Sequence, residues 1–95
     1  MYKLVVVGGK LRGKEFPLKN GDNSLGRDSA CDIFFQVEGV SKKHLMITVT
    51  EDVLYIQDTG SANGTFLNGK IIKRANIKGG DKIGLPNAIL QVVQV

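Results

Sequence analysis

VSKKHLMITVTEDVLYIQDT, residues 40–59, is the longest stretch of the chain free of glycine and proline, so any substantial helix has to fit there. Leu45, Val49, Val53 and Ile56 do fall on a helical stripe. Against this, six of the ten residues from Ile47 to Ile56 are β-branched. A branched Cβ loses freedom against the preceding helical turn but packs well on a pleated sheet. Leu45, Ile47 and Val49 also alternate with Met46, Thr48 and Thr50, the two-residue period of a strand. The stretch reads as two strands joined by a turn at Glu51 and Asp52.

The flanking sequence has the same grain. Brief apolar runs at 4–7, 33–35, 71–72 and 89–95 are separated by twelve glycines distributed along the chain. Asn20-Gly21, Asn63-Gly64 and Asn68-Gly69 are strong turn signals because both residue types tolerate positive φ. Lys78-Gly79-Gly80-Asp81 is a further turn, and Pro17 and Pro86 belong at strand ends or edges. Short strands with frequent turns indicate an all-β sandwich or barrel. With 95 residues and no linker or low-complexity tract, one domain spanning 1–95 is expected.

Composition excludes several function classes. A 42% apolar and 23% charged chain is that of an ordinary soluble globular domain. The single Cys31 rules out an internal disulfide, and with the single His44 it cannot supply a four-ligand zinc site without carboxylates. Neither a metal nor a cofactor is expected. No apolar run approaches the ~20 residues of a membrane span, and 4–7 is too short for the core of a secretory signal. A cytoplasmic location, without membrane contact, is expected by elimination. The net charge of +4 is spread over single and paired cations, which suits an anionic partner. Nucleic acid is one candidate, although the few, widely spaced aromatics offer no obvious stacking platform, and a phosphorylated peptide is another.

Three short motifs suggest other chemistry. Asn63-Gly64-Thr65 spells a glycosylation sequon, which has no use without secretion. Gly64 to Lys70 spells most of a phosphate-binding P-loop, but Ile71 stands where Ser or Thr must hold Mg²⁺, and no helix follows. Ser41, His44 and Asp58 are the residue types of a hydrolase triad, yet no nucleophile elbow G-x-S-x-G is present. Catalysis is not expected, and His44 is read as a structural hydrogen-bonding residue.

The pieces LGRDSACDI (25–33), VSKKHLMI (40–47) and DTGSANGTFLNG (58–69) form an ordered set. Gly-Arg, Asp-Ile, Ser-x-x-His, Asn-Gly-Thr and a further Asn-Gly, in this order and spacing, resemble the forkhead-associated (FHA) domain. The resemblance covers essentially the whole chain. It implies an FHA-type (SMAD/FHA-like) β-sandwich of two twisted antiparallel sheets, about eleven strands in all, with binding loops at one end. It also implies a phosphothreonine-peptide recognition module of kinase signalling, and not an enzyme. The partner it implies is a Ser/Thr kinase or a substrate of one, with a monomer as the default state.

The residue chemistry agrees. A phosphothreonine carries roughly −1.5 to −2 charge and three strong acceptor oxygens. Arg27 offers a planar fork, Ser41 a hydroxyl, and Lys42 or Lys43 an ammonium group. Asn63 has a donor and an acceptor for the backbone of an extended peptide. The resemblance assigns Arg27 and Ser41 to the phosphate and Asn63 to the peptide backbone. It gives Gly26, His44, Gly64 and Thr65 the task of shaping the site. Asn68 and Gly69 are expected to shape a hairpin, and Asp58 to cap its turn. Two positions depart from the family's usual pattern. Ala62 stands where many members carry a hydroxyl, and Lys42 where Asn or Arg is common. The missing hydroxyl keeps a second reading open, an interaction or self-association module that works without phosphate.

Overall fold

The computed structural model describes residues 1–51 and 53–95; the expected turn residue Asp52 lies outside the described residues, while its neighbour Glu51 has φ 52°. Eleven strands follow one another: β1 (Tyr2–Gly9), β2 (Glu15–Pro17), β3 (Gly21–Gly26), β4 (Ile33–Phe34), β5 (Leu45–Thr50), β6 (Val53–Asp58), β7 (Thr65–Leu67), β8 (Lys70–Ile72), β9 (Arg74–Ile77), β10 (Lys82–Leu85) and β11 (Ala88–Gln94). Among the described residues no helix is long and apolar enough to cross a membrane.

The β5–β6 stretch forms the expected hairpin, in register from Leu45 opposite Asp58 to Thr50 opposite Val53. Alternation decides its orientation: Leu45, Ile47, Val49, Leu54 and Ile56 are buried, and their neighbours face outward. This hairpin forms the middle of a five-stranded sheet ordered β4-β3-β5-β6-β9. A six-stranded sheet ordered β2-β1-β11-β10-β7-β8 packs over it. Leu4, Val6, Ile83, Leu85, Leu90 and Val92 of the second sheet meet Leu25, Ile47, Leu54 and Ile56 of the first in one core. Phe35 is fully buried just after β4, with its ring edge-on to Phe16 at 5.9 Å between centroids.

Three expectations are corrected. Strands β2, β3, β7, β9 and β10 lack the dense apolar runs by which strands were recognised, because several are short and polar on one side. The pairing is not wholly antiparallel, since β4 runs parallel to β3, with Leu25 opposite Ile33. Such a pair normally needs a long crossover. Here β4 is only two residues, and the six-residue loop 27–32 has to return the chain by just one strand residue, about 3.3 Å along the axis. Finally, of the three Asn-Gly pairs only Asn68-Gly69 is a two-residue hairpin turn with both φ angles positive, closing β7 on β8. At Asn20-Gly21 and Asn63-Gly64 only the glycine is left-handed, and both pairs lie where the chain passes from one sheet to the other. Pro17 ends an edge strand and Pro86 sits in the β10–β11 turn, as expected.

Candidate functional site

Three loops converge at one end of the sandwich: 27–32 after β3, 35–44 before β5, and 59–64 after β6. Their contact begins at Gly26. A Cβ built there would lie 2.0 Å from the carbonyl oxygen of Lys42 and 3.0 Å from that of Ser41. The end of β3 therefore touches the backbone of the second loop directly, and only glycine permits the approach. Just beyond, the Arg27 N–H donates to Ser41 O at 3.1 Å, and Arg27 Nε donates to the carbonyl of the buried Val40. The guanidinium plane is thereby fixed. Both Nη groups are left without a protein partner among the described residues.

Ser41 is tied from both sides. Its N–H donates to His44 Nδ1 at 3.0 Å, and its Oγ accepts from the Ala62 N–H at 2.9 Å. The hydroxyl proton remains available to a ligand. His44 is fully buried, and because its Nδ1 accepts, its proton sits on Nε2 and is donated to Gly64 O at 2.9 Å. Its backbone N–H also reaches Leu25 O, and its carbonyl accepts from Thr59. Ring and backbone together, this one residue connects β3 with the second and third loops, and neither ring nitrogen is open to a substrate.

The third loop is built on Asp58. Its Oδ1 accepts from the N–H groups of Gly60 and Ser61, both at 2.8 Å, and its Oδ2 accepts from Ser61 Oγ and Thr65 Oγ1. Burial alone would push this carboxyl up, but the hydrogen bonds from Ser61, Thr65 and Gly60 outweigh it and hold it below the usual carboxylate range. Thr65 is fully buried and serves this network. Asn63 is exposed, and its Nδ2 donates to Gly39 O at 2.9 Å, bracing the second loop. Its Oδ1 accepts from no protein donor among the described residues, and the backbone N–H groups of Lys42 and Asn63 are likewise unpartnered there. Lys42 and Lys43 are exposed.

The structure therefore brings Arg27, Ser41, Lys42 and Asn63 together, and places Gly26, His44, Gly64 and Thr65 beneath or beside them. Several contributors escaped the sequence reading. Ser61 donates to Asp58 and accepts from the Gly64 N–H at 3.0 Å. Asn87, with φ 59° in the β10–β11 turn, donates to Glu38 O, and a Cβ at Gly39 would press on Pro86 at 2.7 Å. Asp32, the Asp of the Asp-Ile piece, to which the sequence reading assigned no task, fastens the first loop by accepting from the N–H and Oγ of Ser24 and from Lys19. These bonds, chiefly that of the Ser24 N–H, hold its carboxyl down at about 2. The spacing of Asp58 to Ser61 was a readable signal of an Asx-type turn. Asn87 and Gly39, 48 residues apart, had none.

Residues 23–86 match the family model of the FHA domain. The chain is 32% identical over 80 residues to the glycogen accumulation regulator GarA of Mycobacterium tuberculosis, covering 84% of this chain and 49% of GarA. It is 32% identical over 73 residues to the FHA domain-containing protein FhaA of the same organism, covering 77% of this chain and 14% of FhaA. The chain thus spans about half the length of GarA or less of the longer protein. A structure solved in a study of phosphothreonine-dependent FHA domain interactions superposes with a TM-score of 0.91 at 28% identity, covering 99% of this chain and 96% of that one. The FhaA FHA domain, in complex with the intracellular domain of a second protein, superposes with a TM-score of 0.89 at 28% identity, covering 97% and 99%. By sequence, fold and the arrangement of its loops, the chain belongs to the FHA-domain family.

Proposed function

We propose that the domain binds a phosphothreonine-bearing segment of a partner protein through the three-loop end. The observation that carries this is the set of unpartnered donors there: two Nη groups of a guanidinium whose Nε is already fixed, the Ser41 hydroxyl, the Lys42 ammonium and the N–H groups of Lys42 and Asn63. Three phosphate oxygens need such donors. Asn63 Oδ1 is placed to accept from the peptide backbone. At position 62 the contribution comes from the main chain, since the Ala62 N–H orients Ser41 Oγ in place of a second hydroxyl.

The domain recognises and does not catalyse. Its one imidazole is buried with both nitrogens engaged, so Ser41 lacks an accessible base. The partner is a Ser/Thr kinase or a kinase substrate, and the setting is cytoplasmic signalling. That the related structures include a study of phosphothreonine-dependent interactions supports this. Screening a phosphothreonine peptide library against wild type and Arg27→Ala tests the reading. Loss of a charged hydrogen-bonding partner weakens binding by about 1.5–3 kcal/mol. Equal binding by the two proteins, or retention of a captured partner after phosphatase treatment, favours the phosphate-independent reading instead.

A further inference from the structure

The two outer faces of the sandwich differ. On the five-stranded sheet, cross-strand rows read Ser24–Met46–Gln57–Arg74 and Asp22–Thr48–Tyr55–Asn76, and the two exposed apolar side chains of that face, Phe34 on β4 and Val53 beside the β5–β6 turn, stand apart at opposite ends of the sheet. On the six-stranded sheet one row reads Ile71–Phe66–Gly84–Ile89–Gly8, crossing β8, β7, β10, β11 and β1. Its three large side chains are 68%, 38% and 44% exposed. Gly84 has no backbone reason to be glycine, since its φ is not positive, and glycine weakens a strand interior. A Cβ there would stand 3.2 Å from Phe66 Cβ. The glycine keeps a groove open between Phe66 and Ile89. Gly8 does the same on the other side of Ile89, next to the bulge in β1.

We propose that this row is a second docking surface for the same phosphorylated partner, and that it takes an apolar segment flanked by acidic residues. The proposal rests on the phosphopeptide reading of the loop end. Three observations choose the occupant. The row is continuous with that end: the Cβ position of Gly64 lies 3.1 Å from Ile71 Cδ1 and 3.7 Å from Phe66 Cε1, and Gly64 follows Asn63. Lys70 and Lys73 bracket Ile71, and Lys82 stands two residues from Gly84 on the same face. All three are exposed and in no ion pair among the described residues, so they complement acid. The exposed apolar area is on the order of 300 Å², at the low end of the largest patches on monomers and below the roughly 450–500 Å² of apolar surface that each partner of a stable dimer buries. A second copy of this chain is therefore the poorer fit.

The reach is short. Four strand spacings make about 19 Å, which an extended chain covers in about six residues. The test uses two phosphothreonine peptide libraries, one with about four random residues on each side and one extended by about ten more on both sides. Wild type selects apolar and acidic residues in the extension and binds those peptides about tenfold more tightly than short ones. Ile71→Lys and, independently, the groove-filling Gly84→Thr abolish that gain while short peptides bind as before. The idea is overturned if the extension selects nothing, if both variants keep the gain, or if ultracentrifugation shows a wild-type dimer that Ile71→Lys dissociates. Arg27→Ala separates the two readings. If it fails to weaken the short peptides, the loop-end reading is wrong. If it weakens them while the extension adds nothing, only the second surface is wrong.

Discussion

Replacing Gly26 by alanine adds one methyl group at the point where β3 meets the second loop, 35–44. The added carbon would sit 2.0 Å from Lys42 O and 2.6 Å from Lys42 C. Normal separation requires these groups to part by more than about 1 Å. The obstacle is backbone and cannot swing aside. Lys42 O accepts from the Asp28 N–H at 3.2 Å and from Cys31 Sγ at 3.3 Å, and Ser41 O accepts from the Arg27 N–H. Overpacking costs about 1–3 kcal/mol, and each hydrogen bond lost on moving the loop adds about 0.5–1.5 kcal/mol. A loss of about 2–4 kcal/mol is expected, a large fraction of the ~5–15 kcal/mol stability of a typical domain. Urea unfolding measures this as a lowered midpoint at constant slope. Calorimetric titration of a phosphothreonine peptide, done where the variant is still folded, should show at least about tenfold weaker binding, since Arg27 and Ser41 move apart. Gly79→Ala is the control, because its φ is not positive and its nearest foreign atom would be 3.8 Å away. Gly26→Ala with the midpoint and affinity of wild type would refute the reasoning.

Other expectations follow from the same contacts. His44→Ala removes a fully buried ring and leaves the half-buried Ser41 N–H and Gly64 C=O unpaired, and should cost about 3 kcal/mol in urea unfolding. Asp58→Ala strands the donors of Gly60, Ser61 and Thr65, and should weaken both stability and peptide affinity by about 1–3 kcal/mol each. Phe35→Ala, a fully buried ring, should cost about 3–5 kcal/mol and leave the folded protein competent to bind. Asp32, Asp58 and Asp81 all have lowered carboxyl pKa values, so each folded state binds its proton less readily than the unfolded chain. Their stabilisation is present above the ordinary carboxyl value of 3.8 and is lost as the pH falls through each lowered folded value, which for Asp32 is about 2. Urea midpoints between pH 7 and 2 should fall in that window, with a smaller fall in Asp32→Asn.

What could be read from the sequence was what is local. The β5–β6 hairpin was legible because β-branching and alternation occur together over ten residues. The candidate site residues could be proposed because Arg27, Ser41, His44 and Asn63 carry distinctive chemistry at a recognisable spacing, and the fold brings them to one end of the sandwich. Strand β3 was not, because Asp22, Asn23 and Ser24 have no strand preference. Asn23 is nevertheless buried there, accepting from the Lys19 N–H and donating to Lys19, Gly21 and Ile47 carbonyls. Tertiary partners, not propensity, make that strand. Asn63-Gly64 is legible only as a turn, because the dipeptide says that the chain bends but not what it joins. The Asp58–Ser61–Thr65 network decides that it bends between sheets. The apolar row on the six-stranded face was invisible for a related reason: Ile71, Phe66 and Ile89 become neighbours only through strand register.

The central claim is that a phosphate is gripped where Arg27, Ser41, Lys42 and Asn63 converge. Titration of a library-selected phosphothreonine peptide into isotope-labelled protein, followed by backbone and arginine side-chain NMR, tests this most directly. The account predicts large shifts for the Arg27 side chain and for the amides of Ser41, Lys42 and Asn63, with no response to the unphosphorylated peptide. Equal shifts with and without the phosphate, or shifts that leave these four residues unmoved, would contradict it.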